Sequence, residues 1–281
     1  MGDTYRPSHV PIARGDKCMA KKTTITLISI IVCSVILFAT VGHLANQHTN
    51  IGFFIWMEGY IAAPVGSSTD IAFTYYYKEN EPHLPLDKLA SLATPDTDKI
   101  EIHLLSLSPM SVPFDGYSAY SCLLKFTFNE SGSFAINTLD FKASDGSEYS
   151  MPIGDFIFEV DKTYPPLFLK SNTIYNSFAA TSSPDEYPYD FDLPLENMSI
   201  AEIRYGLEEI CSSATSLPTT ARLELNTRAP IKVIAPKIKV VYEGETAIAY
   251  GSLCYCGAFG FSQEGLDASI EYIESRTGTG T

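Results

Sequence analysis

Positive charge is what this chain has least of. Its 281 residues carry 19 Lys and Arg against 33 Asp and Glu, a formal net charge of −14. A surface that neutralises nucleic-acid phosphates or docks on anionic headgroups needs the opposite balance. Nucleic acid is therefore excluded as a partner, and electrostatic attachment to lipid is disfavoured. Histidine is sparse too, at five residues, and none falls in an H-E-x-x-H metal motif. The chain also lacks a G-x-S-x-G elbow, a C-x-x-C pair and the glycine patterns that cradle nucleotide phosphates. With those signatures gone, no catalytic residue, resident cofactor or metal site is expected from motif, and the expectation is a protein that is not an enzyme. Of the histidines, His48, His83 and His103 lie beyond the long apolar run described next. None sits in a motif, and His103, inside KIEIHLLSL, reads as a structural ring.

Charge is missing altogether from residues 23–44, TTITLISIIVCSVILFATVGHL, which follow Lys21 and Lys22. A helix needs roughly 20 apolar residues to cross about 30 Å of hydrocarbon, and this run has the length. Its twelve Ile, Leu, Val and Phe residues contribute a gross insertion gain of about −4 to −7 kcal/mol. A core helix of a soluble domain would carry a polar stripe at helical period, and none is present. Residues 1–22 hold five basic side chains (Arg6, Arg14, Lys17, Lys21, Lys22) against Asp3 and Asp16, whereas no Lys or Arg follows until Lys78. The positive-inside rule places residues 1–22 in the cytoplasm and everything beyond the span outside. The apolar core is long for a secretory signal and ends without a small-x-small site, so an uncleaved single-pass signal-anchor in the cell membrane is expected over a cleaved signal or a lipid anchor.

Of the 19 basic and 33 acidic residues, five and two precede the span, which leaves 14 and 31 outside and a net charge of −17. Residues 45–66 are expected as a juxtamembrane linker running into a first strand. They contain the single tryptophan, Trp56, which suits either the headgroup layer or a buried strand. From residue 67 the pattern is period two with β-branched and aromatic enrichment. Ile71, Phe73, Tyr75 and Tyr77 alternate, and so do Tyr120, Cys122, Leu124, Phe126 and Phe128. Short polar turns such as Ser144-Asp145-Gly146-Ser147 join the runs, and Lys237 to Cys256 around Glu243-Gly244-Glu245 reads as a hairpin. The fold class is mainly β: a transmembrane helix followed by an antiparallel β-sandwich-like ectodomain, as one large or two small domains, with one or two short helices. One helix is expected behind Pro85, with Leu86, Leu89 and Leu92 at i+3. The other follows a capping box at Ser199–Glu202, with Ile200, Ile203, Leu207 and Ile210 on one face. Residues 266–273 fit both periods and are read as strand.

Residues 182–198, SSPDEYPYDFDLPLENM, combine three prolines with Asp185, Glu186, Asp190, Asp192 and Glu196. Proline at that density reads as a loop or domain junction, separating a β-rich domain at 67–181 from a helix-plus-β region at 199–276 and a tail at 277–281. The acids raise a calcium-stabilised adhesin as one functional reading, although the EF-hand spacing is absent. No repeat of about 20–50 residues is present.

Six cysteines divide by topology. Cys18 and Cys33 precede the ectodomain, while Cys122, Cys211, Cys254 and Cys256 share the oxidising side and are candidates for disulfide or redox chemistry. Cys254 and Cys256, two apart on one face of a strand, have Cβ atoms roughly 6.5 Å apart when extended, too far for a bridge unless the strand bends. Two readings follow. The first is a non-catalytic binding or cell-envelope interaction module, its partners the membrane through residues 23–44 and a protein or envelope component. Tyrosine supports it, with 17 residues and runs such as Tyr75-Tyr76-Tyr77 and Tyr187-Pro188-Tyr189. The second is an extracytoplasmic thiol oxidoreductase using Cys254 and Cys256.

Overall fold

The computed structural model describes residues 51–111, 114, 116–162, 167–169, 186–190, 198–206, 210–211, 220–224, 231–257 and 263–277. All of them fall in the unit His48–Thr281. The expected cytoplasmic segment 1–22 and membrane span 23–44 lie outside the described residues, as do residues 191–197. Among the described residues no helix is long and apolar enough to cross a membrane.

Seventeen strands and one helix make up the described chain. In order they are β1 (Phe53–Phe54), β2 (Met57–Pro64), β3 (Ser68–Lys78), β4 (Leu89–Ala93), β5 (Ile100–Met110), β6 (Tyr117–Phe128), β7 (Gly132–Ala143), β8 (Glu148–Asp161), β9 (Leu167–Leu169), β10 (Glu186–Asp190), β11 (Ser199–Arg204), β12 (Ile210–Cys211), β13 (Thr220–Glu224), β14 (Ile231–Ala235), β15 (Lys237–Tyr242), β16 (Glu245–Gly251), β17 (Cys254–Gly257) and the helix α1 (Gln263–Thr277). A first sheet runs β1-β3-β6-β5, a second β17-β14-β2-β8-β7-β4 and a third β12-β11-β15-β16-β9, while β10 and β13 pair alone.

The first and second sheets enclose the main core. Period-two alternation sends Ile71, Phe73 and Tyr75 of β3 and Cys122, Leu124, Phe126 and Phe128 of β6 inward, where they meet Ile61 of β2, Phe141 of β7 and Phe156 and Phe158 of β8. Ring pairs Phe73–Phe156 (centroids 5.5 Å apart) and Phe126–Phe158 (5.2 Å) cross the interface. The back of the second sheet is covered in turn: Ile234 packs with Ile200, Ile203, Ile238 and Val240 of the third sheet, and Tyr60 and Ala62 with Tyr250. Strands β2 and β14 therefore lie in a middle layer with both faces buried, which is why MEGYIAAP and IKVIA read as nearly continuous apolar runs.

Several expectations need correction. The second sheet is mixed: β2 pairs parallel with both β8 and β14, and β9 pairs parallel with β16, whereas the first sheet is antiparallel throughout. Residues 51–65 supply two core strands instead of a linker. The second sheet also draws strands from both sides of residues 182–198. Within that stretch, Glu186–Asp190 is a strand in which Pro188 lies opposite Arg222. Each member of a two-stranded sheet is an edge, and proline is tolerated there. The expected helix at 199–210 is the strand β11, whose register shifts between Ile200 and Glu202. Behind Pro85 only one 3-10 turn forms, Leu86–Lys88, before β4, whose register shifts between Leu89 and Ser91. Residues 266–273, read as strand, belong to α1, with Leu266, Ser269 and Tyr272 buried at i+3. The hairpin of β15 and β16 forms as expected on a two-residue turn with Glu243 and Gly244 both at positive φ, 52° and 83°.

Candidate functional site

Of the four cysteines that carry the sequence expectation, the side chains of Cys122, Cys254 and Cys256 are described and all three are buried. Cys122 faces the main core from β6, 1% exposed, and burial pushes its thiol up to about 12. Cys211 lies on β12 opposite Ile203, and its side chain is outside the described residues. Cys254 and Cys256 lie on β17 opposite Ile234 and Lys232, in the cluster shared with Ile200, Ile203 and Ile238. Their Sγ atoms are 3.7 Å apart, a thiol–thiol contact and not a bond. The hydrogen bond with Cys254, together with burial, holds the Cys256 thiol far above its ordinary value, outweighing the charge of Lys232. The Cys256 thiol is thus held in its protonated, weakly nucleophilic form. The structure thus brings Cys254 and Cys256 together and sets Cys122 in a different cluster.

A polar cluster ties the second sheet to the third. Lys237 Nζ of β15 donates to Glu159 Oε1 at 2.7 Å and lies 2.8 Å from Asp161 Oδ2, both acids on β8. Tyr60 of β2 donates to Glu159 Oε2 at 2.5 Å, and Tyr250 of β16 donates to Asp161 Oδ2 at 3.2 Å. Burial alone would push the Glu159 carboxyl up, but hydrogen bonds from Lys237 and Tyr60 prevail and hold it below the usual carboxylate range. Burial likewise opposes the Lys237 charge, and the two carboxylates outweigh it and raise its pKa. Burial and the Glu159 hydrogen bond keep the Tyr60 phenol protonated to high pH. Its lysine, carboxylate and phenol groups satisfy one another internally, so its chemistry is that of an inter-sheet clip.

The open concavity lies elsewhere. A cleft of about 240 Å³ is bounded by β1, the end of β3, the start of β6 and α1. Its wall is aromatic on the strand side, with Phe53, Tyr77 and Tyr117, and apolar on the helix side, with Ile270 and Ile273; Lys78, Glu81 and Glu274 supply charge. Phe53 stacks on Tyr76 at 5.9 Å and meets Tyr117 edge-on at 6.4 Å. Tyr77 stacks in turn on Tyr120 and His83, at 5.7 and 4.4 Å.

Gly52 makes this wall possible. Its φ is +100°, and a Cβ there would stand 2.4 Å from the Tyr76 carbonyl oxygen, so only glycine lets β1 lie this close to β3. Beside it, the buried Tyr75 hydroxyl donates to the Ile51 carbonyl and accepts from Leu84 N. Helix α1 is fixed across the cleft by Trp56, whose ring stacks on Tyr272 at 4.6 Å and whose backbone N donates to Ser269 Oγ at 3.0 Å. Trp56 is therefore a packing residue. Of the tyrosine run read as a recognition surface, Tyr75 and Tyr76 are buried in the fold and only Tyr77 reaches the cleft. The side chains of Tyr187 and Tyr189 lie outside the described residues.

His103, expected among apolar residues, sits on the solvent face of β5 and pairs with Glu101 at 2.9 Å. Among the described residues no group of three or more His, Cys, Asp or Glu is placed to hold a metal ion. Glu186 and Asp190 stand at opposite ends of β10, about 13 Å apart along the strand, too far to share one ion.

No family model matches the chain, and no curated protein does. Solved structures similar to it include a protein of the Bacteroides ovatus mixed-linkage glucan utilization locus in complex with a mixed-linkage heptasaccharide, at 13% identity and a TM-score of 0.20. That likeness covers 68% of this chain and 42% of that one, so the chain spans about two fifths of its length. A non-cellulosomal cohesin from the archaeon Archaeoglobus fulgidus matches at 12% identity and a TM-score of 0.18, covering 39% of this chain and 91% of that one. Fibronectin(III)-like modules of Clostridium thermocellum CbhA match at 12% identity and a TM-score of 0.21, over 73% and 93% of the two chains.

Proposed function

We propose that this protein is a single-pass, membrane-anchored extracytoplasmic binding module without catalysis, and that it presents the cleft between β1, β3, β6 and α1 to a protein or envelope component. The observation that carries the reading is the makeup of that cleft: three aromatic rings and two isoleucines surround about 240 Å³, with three charged side chains among its lining. Aromatic side chains dominate recognition surfaces because they bury large area at small entropic cost. The volume is below the roughly 300–1,000 Å³ of small-molecule sites, and suits a single protruding side chain or terminal group of a partner. None of the lining residues named above pairs a nucleophile with a base, which favours recognition over turnover. The anchor rests on residues 23–44 and the outward orientation on the five basic residues before them.

Photo-crosslinking in intact cells tests the reading. A photoreactive residue replacing Glu274, beside the cleft, is expected to give a discrete adduct that Tyr117→Ala reduces at least tenfold, while the same residue replacing Glu148, at the start of β8, gives none. No adduct at position 274, or one indifferent to Tyr117→Ala, overturns it.

A further inference from the structure

We propose that Cys254 and Cys256 form a reversible disulfide across one intervening residue, and that this oxidation releases a clamp that Tyr255 places on the open edge of β3. The sulfur atoms already stand 3.7 Å apart, so closure to a bond of about 2.05 Å needs an approach of under 2 Å. What resists is the backbone. An extended strand separates same-face Cβ atoms by roughly 6.5 Å and a bridge takes about 4 Å, so the strand must pucker at Tyr255. Strand β17 is built to allow it: four residues long and at the edge of the second sheet, where its neighbouring strand among the described residues is β14.

Tyr255 couples that pucker to the rest of the fold. Its side chain leaves the opposite face of β17 from the two thiols and packs against the main core, where its hydroxyl accepts from Ala72 N at 2.7 Å. Ala72 lies on the stretch of β3 beyond the two-residue strand β1, where among the described residues no other strand pairs with β3 on that side. The Tyr255 hydroxyl thus substitutes for a missing strand partner. Drawing residues 254 and 256 together displaces Tyr255 from its place opposite Val233 and pulls the hydroxyl from Ala72. The clamp therefore belongs to the reduced form, and by linkage whatever weakens it favours oxidation.

The chemistry is ordinary exchange with a disulfide-bearing oxidant. Cys254, the less buried of the two, attacks the oxidant disulfide as thiolate and expels one thiol; Cys256 as thiolate then attacks the Cys254 sulfur and expels the second. Two protein thiols lose two protons and two electrons, and the oxidant disulfide becomes two thiols.

The test equilibrates the full chain in detergent with mixtures of reduced and oxidised glutathione, followed by acid quench, alkylation and peptide mapping. The peptide holding both cysteines is expected to convert as a unit to a form two mass units lighter and to revert on reduction, with Cys122 remaining a thiol. Amide exchange at Ala72 accelerates in the oxidised form, and Tyr255→Phe, which deletes only the hydroxyl, is oxidised at about fivefold lower oxidant ratio, the weight of one hydrogen bond. Cys256→Ser accumulates glutathione on Cys254; should that variant fail to fold, the wild-type map and Tyr255→Phe decide alone. Two thiols that survive every mixture, or that pair instead with Cys122 or Cys211, overturn the disulfide. An unchanged oxidation ratio in Tyr255→Phe overturns the clamp.

Discussion

Lys237 is the side chain on which most inter-sheet polarity converges. Its carboxylate partners Glu159 and Asp161 sit two apart on one face of β8, and all three are only a fifth to a quarter exposed. Lys237→Met keeps the aliphatic stem and removes the cation, leaving two carboxylates facing each other with Tyr60 and Tyr250 as donors. The expected loss at neutral pH is about 1–3 kcal/mol, between the weight of a surface pair and that of a buried one. The pH dependence has a definite sign. The Glu159 carboxyl is lowered in the fold, so its contribution is present above about pH 4.3, its unfolded value, and is lost as pH falls through the folded one. The Lys237 ammonium is raised, so its contribution is present below about pH 10.4 and is lost as pH rises further. Denaturant titrations from pH 3 to 8 are therefore expected to show the wild type and Lys237→Met converging below about pH 4. A constant gap across that range would mean the clip carries no electrostatic weight. None of this was legible in the sequence: Tyr60, Glu159 and Lys237 lie 99 and 78 positions apart in pairs, and no local pattern marks them. The cleft was equally hidden, since its rings and isoleucines come from four separate segments. The Cys254–Cys256 pair was legible because its members are two residues apart.

At the scale of the element, β-bulges account for both helices that the sequence suggested and the strand chemistry replaced. Apolar residues at i and i+3 are a helical signature, yet an unpaired residue in a strand produces the same spacing. In β11, Ile200 faces Val240 and Ile203 faces Ile238, both inward, because Ala201 has no partner in the register. In β4, Leu89 and Leu92 come to one side through the same device at Ala90. The bulge in β5 is also why Leu105 stands 48% exposed between the half-buried Leu104 and the exposed Ser106. Deleting Ala201 discriminates between the two geometries. In a helix one deletion rotates every later residue by about 100° and destroys the buried face. In β11 it removes the bulge and leaves Ile200, Glu202 and Ile203 in strict alternation, inward, outward, inward. The expected cost is below about 1.5 kcal/mol, with the far-ultraviolet spectrum unchanged. Deleting Glu202 is expected to be equivalent, because Ala201 then takes the outward place opposite Lys239 and Ile203 stays inward opposite Ile238. Regular strands such as β3 and β6 were legible because nothing interrupts their period, whereas residues 266–273 were too short a window to separate period 2 from 3.6.

The whole molecule is organised around a middle layer whose strands come from both ends of the described chain. β2 lies between β8 and β14, so Tyr60 is paired with Ile157 on one side and with Ile234 on the other, and its two faces are buried by different sheets. This arrangement explains why division at residues 182–198 looked natural in the sequence and is not mirrored in the sheets: a proline-rich stretch marks where regular structure is interrupted, but carries no information about which strands meet across it. Pairing over such separations makes folding slow, because loop-closure entropy is lost before the contacts form. It also makes the N-terminal β region dependent on the C-terminal one. A fragment ending at residue 181 would expose the full edge of β2 where β14 belongs and the back face that β15 and β16 cover, a row of unpaired backbone groups beside an apolar surface. Residues 45–181 alone are therefore expected to aggregate or to give a collapsed state without fixed side-chain packing, and co-expression of 182–281 as a separate chain is expected to restore a folded, co-purifying complex. A cooperative melting transition and dispersed amide spectrum from residues 45–181 alone would establish instead that the two halves are independent domains.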